Sequence, residues 1–457
     1  MVSLKRKIVG GLMWLGGANI VLRLVSLASA FIVLRNISVS DYGTVLLSLS
    51  LISPLASIPL FGINELIISE VARLIGERRF DVIKRLMLEY FKASFALTAL
   101  FALLVIPFKP VIGAVLGVEQ TLFFVLFIAL LVLQVAQVFF QQIFRSHERF
   151  KDFAFLPVIE SASKLAGASF FILTGGLNTT TLLASYVLSK MVVVAVSLPF
   201  AVKALGYLRG VQIASAGVLW RVVAGHGKWR IFETLLNQAV RPLGPLIIGI
   251  FFSKAALAFY ATGKDLYEVL LGLVPVAAVI FPVVSRKISE PGTAVFIVQK
   301  AKKYLALIYL VFGLGAYFFA PPVIEWLLPK FIGALPFFKI YLLMFVFHLL
   351  AFGQEDLLYA VKDQKFIFTV ANISKVLYLI SMPLLLFFSG PVGIIYAEFL
   401  RMAAFTVICE RHLRKKHNLP TISARSFFVF DNYDRKLISF LISKFRPSTD
   451  SNKIDAV

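Results

Sequence analysis

The stretch LFFVLFIALLVLQV (Leu122–Val135) decides the fold class of this chain. Its apolar residues form one long run and do not alternate with polar residues, as they would in a transmembrane barrel strand. A second run of this kind, MPLLLFF (Met382–Phe388), lies near the other end of the chain. Because a helix needs about 20 mostly apolar residues to cross a bilayer, both runs indicate membrane-spanning helices.

Composition agrees with these runs. The chain has 457 residues, of which 59% are hydrophobic and only 15% are charged, and its mean hydropathy is +0.88. Soluble domains carry about 25% charged residues, so this chain lacks the polar residues that a water-facing surface requires. Composition therefore excludes a soluble enzyme, a disordered chain and a disulfide scaffold, and the one cysteine, Cys409, cannot form an internal disulfide.

The sequence predicts an all-α polytopic membrane protein with about twelve transmembrane helices. The basic segment Lys5–Lys7 and the apolar run that follows resemble a signal peptide. The apolar run is too long for a signal peptide, however, and it contains Arg23. We therefore interpret this stretch as the first span. The predicted spans cover 8–34, 42–66, 88–107, 120–144, 153–175, 180–202, 222–252, 256–284, 303–320, 337–360, 366–389 and 391–410.

The formal charge of +22 is a topology signal. Of the 46 lysines and arginines, 34 lie on the side of the N-terminus and five lie in the opposite loops. Cytoplasmic loops carry such an excess, so we expect a multi-pass protein of the cell membrane with both termini cytoplasmic. The basic loops would attract anionic lipids at the cytoplasmic surface, and no nucleic-acid partner is predicted.

A polar, glycine-containing break divides the spans into two groups of six. We predict a six-helix lobe over residues 1–206, a cytoplasmic linker over 207–220 and a second six-helix lobe over 221–417. Residues 418–457 form a cytoplasmic tail with a predicted amphipathic helix. A shift of 218 residues matches polar residues of the two groups: Asn19 with Asn237, Arg23 with Arg241, Tyr42 with Tyr260, and Thr44 with Thr262. These matches suggest a parallel internal repeat.

Polar residues inside spans are costly and therefore mark candidate sites. Asn19 and Arg23 share one face of the first span, and Glu233, Asn237 and Arg241 share one face of the seventh. A guanidinium matches phosphate oxygens with two parallel hydrogen bonds, so the two arginines and the two asparagines are our candidates for substrate binding. The alternatives are an internal pair between Glu233 and Arg241, or arginines that reach the membrane surface.

The eighth and fifth spans add charged candidates. Lys264 and Glu268 can pair one turn apart, which leaves Asp265 on another face. Asp265, Glu268 and Glu233 are therefore candidates for ion coupling, with H⁺ or Na⁺ as the ion, and Lys264 is a candidate for substrate binding. The alternative is that this stretch of the eighth span lies near the membrane surface opposite the N-terminus, where water solvates its charged side chains.

Lys164 lies one turn from Glu160 in the fifth span, so a structural pair is the first interpretation and substrate binding the second. The sequence contains no phosphate-binding loop of the Walker type, no dinucleotide-binding glycine pattern and no His/Cys zinc spacing. We therefore predict no cofactor, no resident metal and no enzymatic activity.

Two segments resemble a known family. Asn36–Arg73 has SDYG at Ser40–Gly43, then an apolar helix and Gly62, and resembles the second-helix signature of Wzx-type oligosaccharide-lipid flippases. Ala258–Arg286, with its FPVVSR ending, is similar to the matching segment of the second half. These flippases belong to the multidrug/oligosaccharidyl-lipid/polysaccharide (MOP) superfamily.

The resemblance implies two six-helix lobes of the MATE-like type around a central cationic cavity. It also implies a lipid-linked oligosaccharide as partner, with a polyprenyl or dolichyl pyrophosphate that moves between membrane leaflets by alternating access. The main alternative is a cation-coupled multidrug antiporter of the same superfamily, in which carboxylates would dominate the cavity. A membrane enzyme of the same sugar pathway would need large outer loops, and the loops here are short.

Overall fold

The computed structural model describes residues 21–60, 63–224, 234, 236–238, 240–272, 284, 291–422 and 434–435. Every regular element in this part of the chain is helical. Helix α1 covers residues 21–36. The first half continues with α2 (Val39–Ser57), α3 (Asn64–Gly76), α4 (Phe80–Val105), α5 (Lys109–Leu116), α6 (Thr121–Ser146), α7 (Phe150–Thr174), α8 (Thr179–Ala204) and α9 (Val218–Val222).

The second half contains α10 (Leu243–Ile247), α11 (Lys254–Leu271), α12 (Pro291–Leu327), α13 (Leu335–Leu342), α14 (Met344–Ala351), α15 (Gln354–Ala360), α16 (Gln364–Ser389) and α17 (Gly393–Lys416). Within the described residues, eight helical stretches are long and apolar enough to cross a membrane. Large apolar side chains such as Leu173, Trp326 and Phe387 are more than three-quarters exposed, as expected for a surface that faces lipid.

Several predicted spans match the observed helices within a few residues. The spans 120–144, 153–175 and 180–202 correspond to α6, α7 and α8, whereas α4 begins eight residues before the predicted span 88–107. The limits of the span 42–66 are wrong, because α2 ends at Ser57 and α3 is a separate helix. The break comes at Pro59, which has no backbone N–H to continue the helical hydrogen bonds, whereas Ile58 before it still has helical φ and ψ.

The later spans are less regular than predicted. The span 337–360 consists of three short helices, and Gly353 has a left-handed φ of 72° directly before α15. In the span 222–252, the helix is interrupted at Arg241 and Pro242, because a proline removes a backbone donor from the helix. The predicted tail helix and residues 8–20 of the first span lie outside the described residues.

The SDYG segment has a structural role at the start of α2. Ser38 caps the helix by accepting a hydrogen bond from the Asp41 amide at 3.0 Å, and the Asp41 carboxylate accepts a bond from the Thr179 hydroxyl at 2.6 Å. Gly43 lies against the backbone of Lys254, where a Cβ atom would overlap the carbonyl group. The glycine therefore permits the close approach of α2 to α11.

The chain divides into two compact units. The first contains Met1–Leu273, Gly315–Leu342 and Tyr378–Glu398, and its core includes the fully buried Ile37, Val45 and Phe331. The matched residues Tyr42, Thr44, Tyr260 and Thr262 are all buried in this unit.

The second unit contains Val274–Leu314, Leu343–Leu377 and Phe399–Val457. Its core includes the buried Leu357, Cys409 and Leu413. The predicted lobes, 1–206 and 221–417, divide the chain differently from these two units. The prediction of two six-helix lobes is therefore not tested by the units and stays a prediction.

Candidate functional site

A cavity of about 530 Å³ with several charged residues in a mainly apolar wall lies inside the first unit and is lined by both halves of the sequence. Helices α1, α2, α7 and α8 provide one part of its wall, and α11 provides another part. Its charged lining residues are Arg23, Lys164, Asp265 and Glu268. Four of the nine residues predicted as site residues therefore come together in one cavity.

Arg23 presents an exposed guanidinium to this cavity. Within the described residues, no carboxylate lies within 4.0 Å of it. The guanidinium packs against Gly272, the C-cap of α11, so closely that a Cβ atom there would overlap it. A cation is favoured at the C-terminal end of a helix, and this placement leaves the donors of Arg23 available for a ligand. Asn19, its predicted neighbour, lies outside the described residues.

Lys164 differs from the first interpretation of the sequence, which paired it with Glu160. Its ammonium group lies 5.0 Å from the centre of the Tyr186 ring, a cation–π contact. Glu160 is instead bound to Lys190 of α8, with 2.7 Å between Oε1 and Nζ. The expected i, i+4 pair is therefore absent in this described region, and Lys164 faces the cavity without a carboxylate in salt-bridge range.

The carboxylates of α11 are divided between the cavity and an ion-pair network. Asp265 lines the cavity and makes no ion pair with any other described residue. Lys264 does not line it, since its ammonium group lies 3.9 Å from both Glu268 and Glu398. Lys264 is thus engaged with carboxylates, in agreement with the predicted pair with Glu268, and it is a weaker candidate for substrate contact than Arg23.

Arg241 lines a second cavity, of about 410 Å³, in the same unit. Other polar residues of this wall include Gln134, Glu160, Lys190 and Gln238. Arg241 has an exposed side chain and, among the described residues, no carboxylate partner. Asn237 is exposed and lines neither cavity, although its carbonyl accepts a hydrogen bond from the Arg241 amide at 3.0 Å. Glu233 lies outside the described residues, so its predicted pair with Arg241 stays a prediction.

Lys190 is a charged residue of this second cavity that was not selected from the sequence. It is buried and donates to Gln137 Oε1 at 2.5 Å, while Gln137 donates to Glu160 at 2.6 Å. The signal was present, because Lys190 interrupts an otherwise apolar span. Its partners could not be read from sequence, since they lie on α6 and α7.

Comparisons with solved structures reveal proteins of the same fold. A structure described as the lipid II flippase MurJ in an inward closed conformation is 13% identical, with a TM-score of 0.66, and the match covers 94% of this chain and 96% of that one. An inward-facing multidrug resistance MATE transporter of the MOP superfamily is 15% identical, with a TM-score of 0.63 and coverage of 93% and 96%.

A MOP superfamily transporter from Pyrococcus furiosus, described as having a binding pocket of reverse polarity, is 16% identical with a TM-score of 0.56. That match covers 96% of each chain. At these identities the likeness concerns the fold, and it confirms the predicted class of an all-helical, multi-span membrane protein of the MATE and MurJ type. A comparison with curated protein sequences gives no significant match.

The family comparison goes further than the fold. Residues 32–330 match the family described as polysaccharide biosynthesis protein. Together with the shared fold, this match confirms the prediction of a membrane protein of polysaccharide biosynthesis, and it agrees with the predicted transporter rather than an enzyme. Since the matched region is more than half of the chain, the chain belongs to the polysaccharide biosynthesis protein family.

Proposed function

We propose that this transporter moves a lipid-linked oligosaccharide from the cytoplasmic to the outer leaflet of the cell membrane by alternating access. Both termini would face the cytoplasm, where the basic loops contact anionic lipids. The observation that carries the proposal is the pair of cavities in which Arg23, Lys164 and Arg241 form no ion pair with a carboxylate among the described residues. Cations that are not engaged in an ion pair are suited to bind an anionic substrate.

The chemistry of the substrate explains this choice of residues. A pyrophosphate that joins a polyprenyl or dolichyl lipid to a sugar is anionic and presents pairs of oxygen acceptors on each phosphorus atom. Arg23 and Arg241 can each donate two parallel hydrogen bonds to such oxygens, and Lys164 can add a point charge. The lipid chain would remain in the bilayer, while polar cavity residues such as Ser26 and Thr262 can bond to hydroxyl groups.

Asp265 supports a coupling step. Its carboxylate shares the cavity with Arg23 and Lys164 but is paired with neither. We propose that Asp265, with Glu268 and Glu233, binds H⁺ or Na⁺ in one conformation and releases it in the other. Binding of the ion would weaken the attraction between this carboxylate and the cavity cations, and so change their affinity for the anionic head.

A cation-coupled antiporter of organic cations is the second candidate function. Asp265 and Glu268 favour it, because both carboxylates line the same cavity as the predicted substrate residues. In that mechanism the carboxylates would bind the substrate, and neutralisation of Arg23 or Arg241 would leave transport intact.

Reconstituted transport distinguishes the two functions. Purified protein in liposomes would be tested with a fluorescent polyprenyl-pyrophosphate oligosaccharide and, separately, with a fluorescent organic cation. We expect Arg23→Ala and Arg241→Ala each to reduce oligosaccharide transport at least tenfold, since a hydrogen bond to a charged group contributes about 1.5–3 kcal/mol. Arg209→Ala, at an exposed loop position, is the control. Wild-type oligosaccharide transport in both cavity variants would overturn the proposal.

A further inference from the structure

A cluster of possible metal ligands lies in the second unit, at the C-terminal end of α17. Asp363 precedes α16, while His412 and His417 lie within and directly after α17. His412 Nε2 is 2.9 Å and His417 Nε2 is 3.1 Å from the same oxygen, Oδ2 of Asp363. One ligand atom from each of the three residues lies within 4.8 Å of the other two.

The surrounding residues fix this arrangement. The His412 ring stacks on Phe366 with 3.4 Å between ring centres and 9° between ring planes, which holds its Nε2 toward Asp363. His417 is followed by Asn418 in a left-handed backbone conformation with φ of 54°, where the chain turns back. All three ligand side chains are between 13% and 20% exposed, so an ion from solvent can reach them.

We propose that Asp363, His412 and His417 form a binding site for a divalent transition-metal ion of the Zn²⁺ class. Two imidazoles and one carboxylate are ligands that such ions favour, with ligand distances of about 2.0–2.2 Å. Ligand atoms around a tetrahedral ion at that distance are roughly 3.3 Å apart. The two nitrogen-to-oxygen distances in the structure are only slightly shorter, so the side chains need to move little, and water can supply the fourth ligand.

Lys416 competes for this position. Its ammonium group is 2.7 Å from the same Asp363 oxygen, and its side chain is 56% exposed. The lysine can therefore swing into water when an ion binds. Lys416 and the metal are alternative cations for one carboxylate, and this competition makes a specific prediction that an adventitious histidine site would not share.

The experiment uses full-length protein purified in detergent through a tag without histidines and stripped of metal with a chelator. Zn²⁺ binding is measured by calorimetry, and Co²⁺ binding by visible absorption. We expect one ion per chain, tetrahedral Co²⁺ absorption, and no competition from Mg²⁺, which prefers oxygen ligands. The double variant His412→Ala/His417→Ala should bind Zn²⁺ at least about 100-fold more weakly, because changes even outside the ligand shell cost 10–100-fold.

Two further variants sharpen the test. Lys416→Gln should bind Zn²⁺ several-fold more tightly, whereas His147→Gln, which removes a histidine of the first unit, should leave affinity unchanged. Size exclusion and metal-free thermal unfolding check that each variant is folded. If the double variant does not fold, the Co²⁺ spectrum of the wild-type protein decides. Octahedral absorption, unchanged Zn²⁺ affinity in a folded double variant, or no saturable binding to the wild type would each overturn the proposal.

Discussion

Lys164 and Lys190 lie on neighbouring membrane-spanning helices of one unit, but they have different surroundings. Both line cavities, but Lys190 is 8% exposed and is bonded to Glu160 and Gln137, whereas Lys164 lies over the Tyr186 ring without a carboxylate partner among the described residues. A buried ammonium group needs a partner, since an unpaired charge is costly inside a protein. A lysine in a membrane span therefore has a structural role when a carboxylate pairs with it, as at Lys190. It is a candidate for transport when no carboxylate pairs with it, as at Lys164.

The largest expected effect is on the paired lysine. Glu160→Gln retains the shape of the side chain but leaves the Lys190 ammonium without its anion. Removal of one partner from a fully buried pair costs about 3–5 kcal/mol. Because the Glu160 side chain is 26% exposed, we expect a smaller cost, still seen as a clear fall in the unfolding temperature of the purified protein. The double variant Glu160→Gln/Lys190→Gln should recover most of this loss. A single variant as stable as the wild type would mean that cavity water solvates Lys190, and the contrast with Lys164 would disappear.

Lys164 should show the opposite behaviour. Lys164→Met removes a cation that has no carboxylate partner in the described residues, so the unfolding temperature should change little. Under the proposed function, oligosaccharide transport should fall by about ten- to a hundredfold, the equivalent of one charged hydrogen bond. Both quantities are measured on the same preparation. A variant that loses stability but retains transport would assign Lys164 the role we give to Lys190.

These two lysines also mark what could be predicted from the sequence. The spans α6, α7 and α8 were predicted closely, because long apolar runs and flanking basic residues are local features. The partner of Glu160 was not predicted. Helical spacing pointed to Lys164, four residues away, but the actual partner, Lys190, lies on another helix. Contacts between helices depend on packing and rotation, which a hydropathy pattern does not encode.

The same distinction applies to the candidate site. Rare polar residues in apolar spans led to Arg23, Lys164 and Asp265, and all three line one cavity. The placement of Arg241 in a second cavity could not be predicted, since it depends on the helix break at Pro242 and on tertiary packing. The three residues of the proposed metal site were missed because Asp363 is 49 residues from His412, far outside any short metal-binding motif.

Arg23→Lys tests whether geometry matters in addition to charge. Lysine retains the positive charge but cannot form two parallel hydrogen bonds to a phosphate group. We therefore expect a transport loss of about tenfold, smaller than that of Arg23→Ala, with unchanged unfolding temperature. The competing outcome, full transport by the lysine variant, would show that Arg23 contributes as a point charge only, like Lys164.

The smallest expected effect comes from Gly272, which touches the Arg23 guanidinium without being a site residue itself. A Cβ atom at this position would overlap the guanidinium, but Arg23 is a long, flexible side chain that can move aside. Because φ of Gly272 is −76°, alanine fits its backbone conformation, and Gly272→Ala should change the free energy of unfolding by no more than about 0.5 kcal/mol. Transport should fall only a few-fold, since the guanidinium is displaced and not removed. In an Arg23→Ala background the same substitution should have no further effect on transport, whereas an additive loss would mean that Gly272 acts through α11 and not through Arg23.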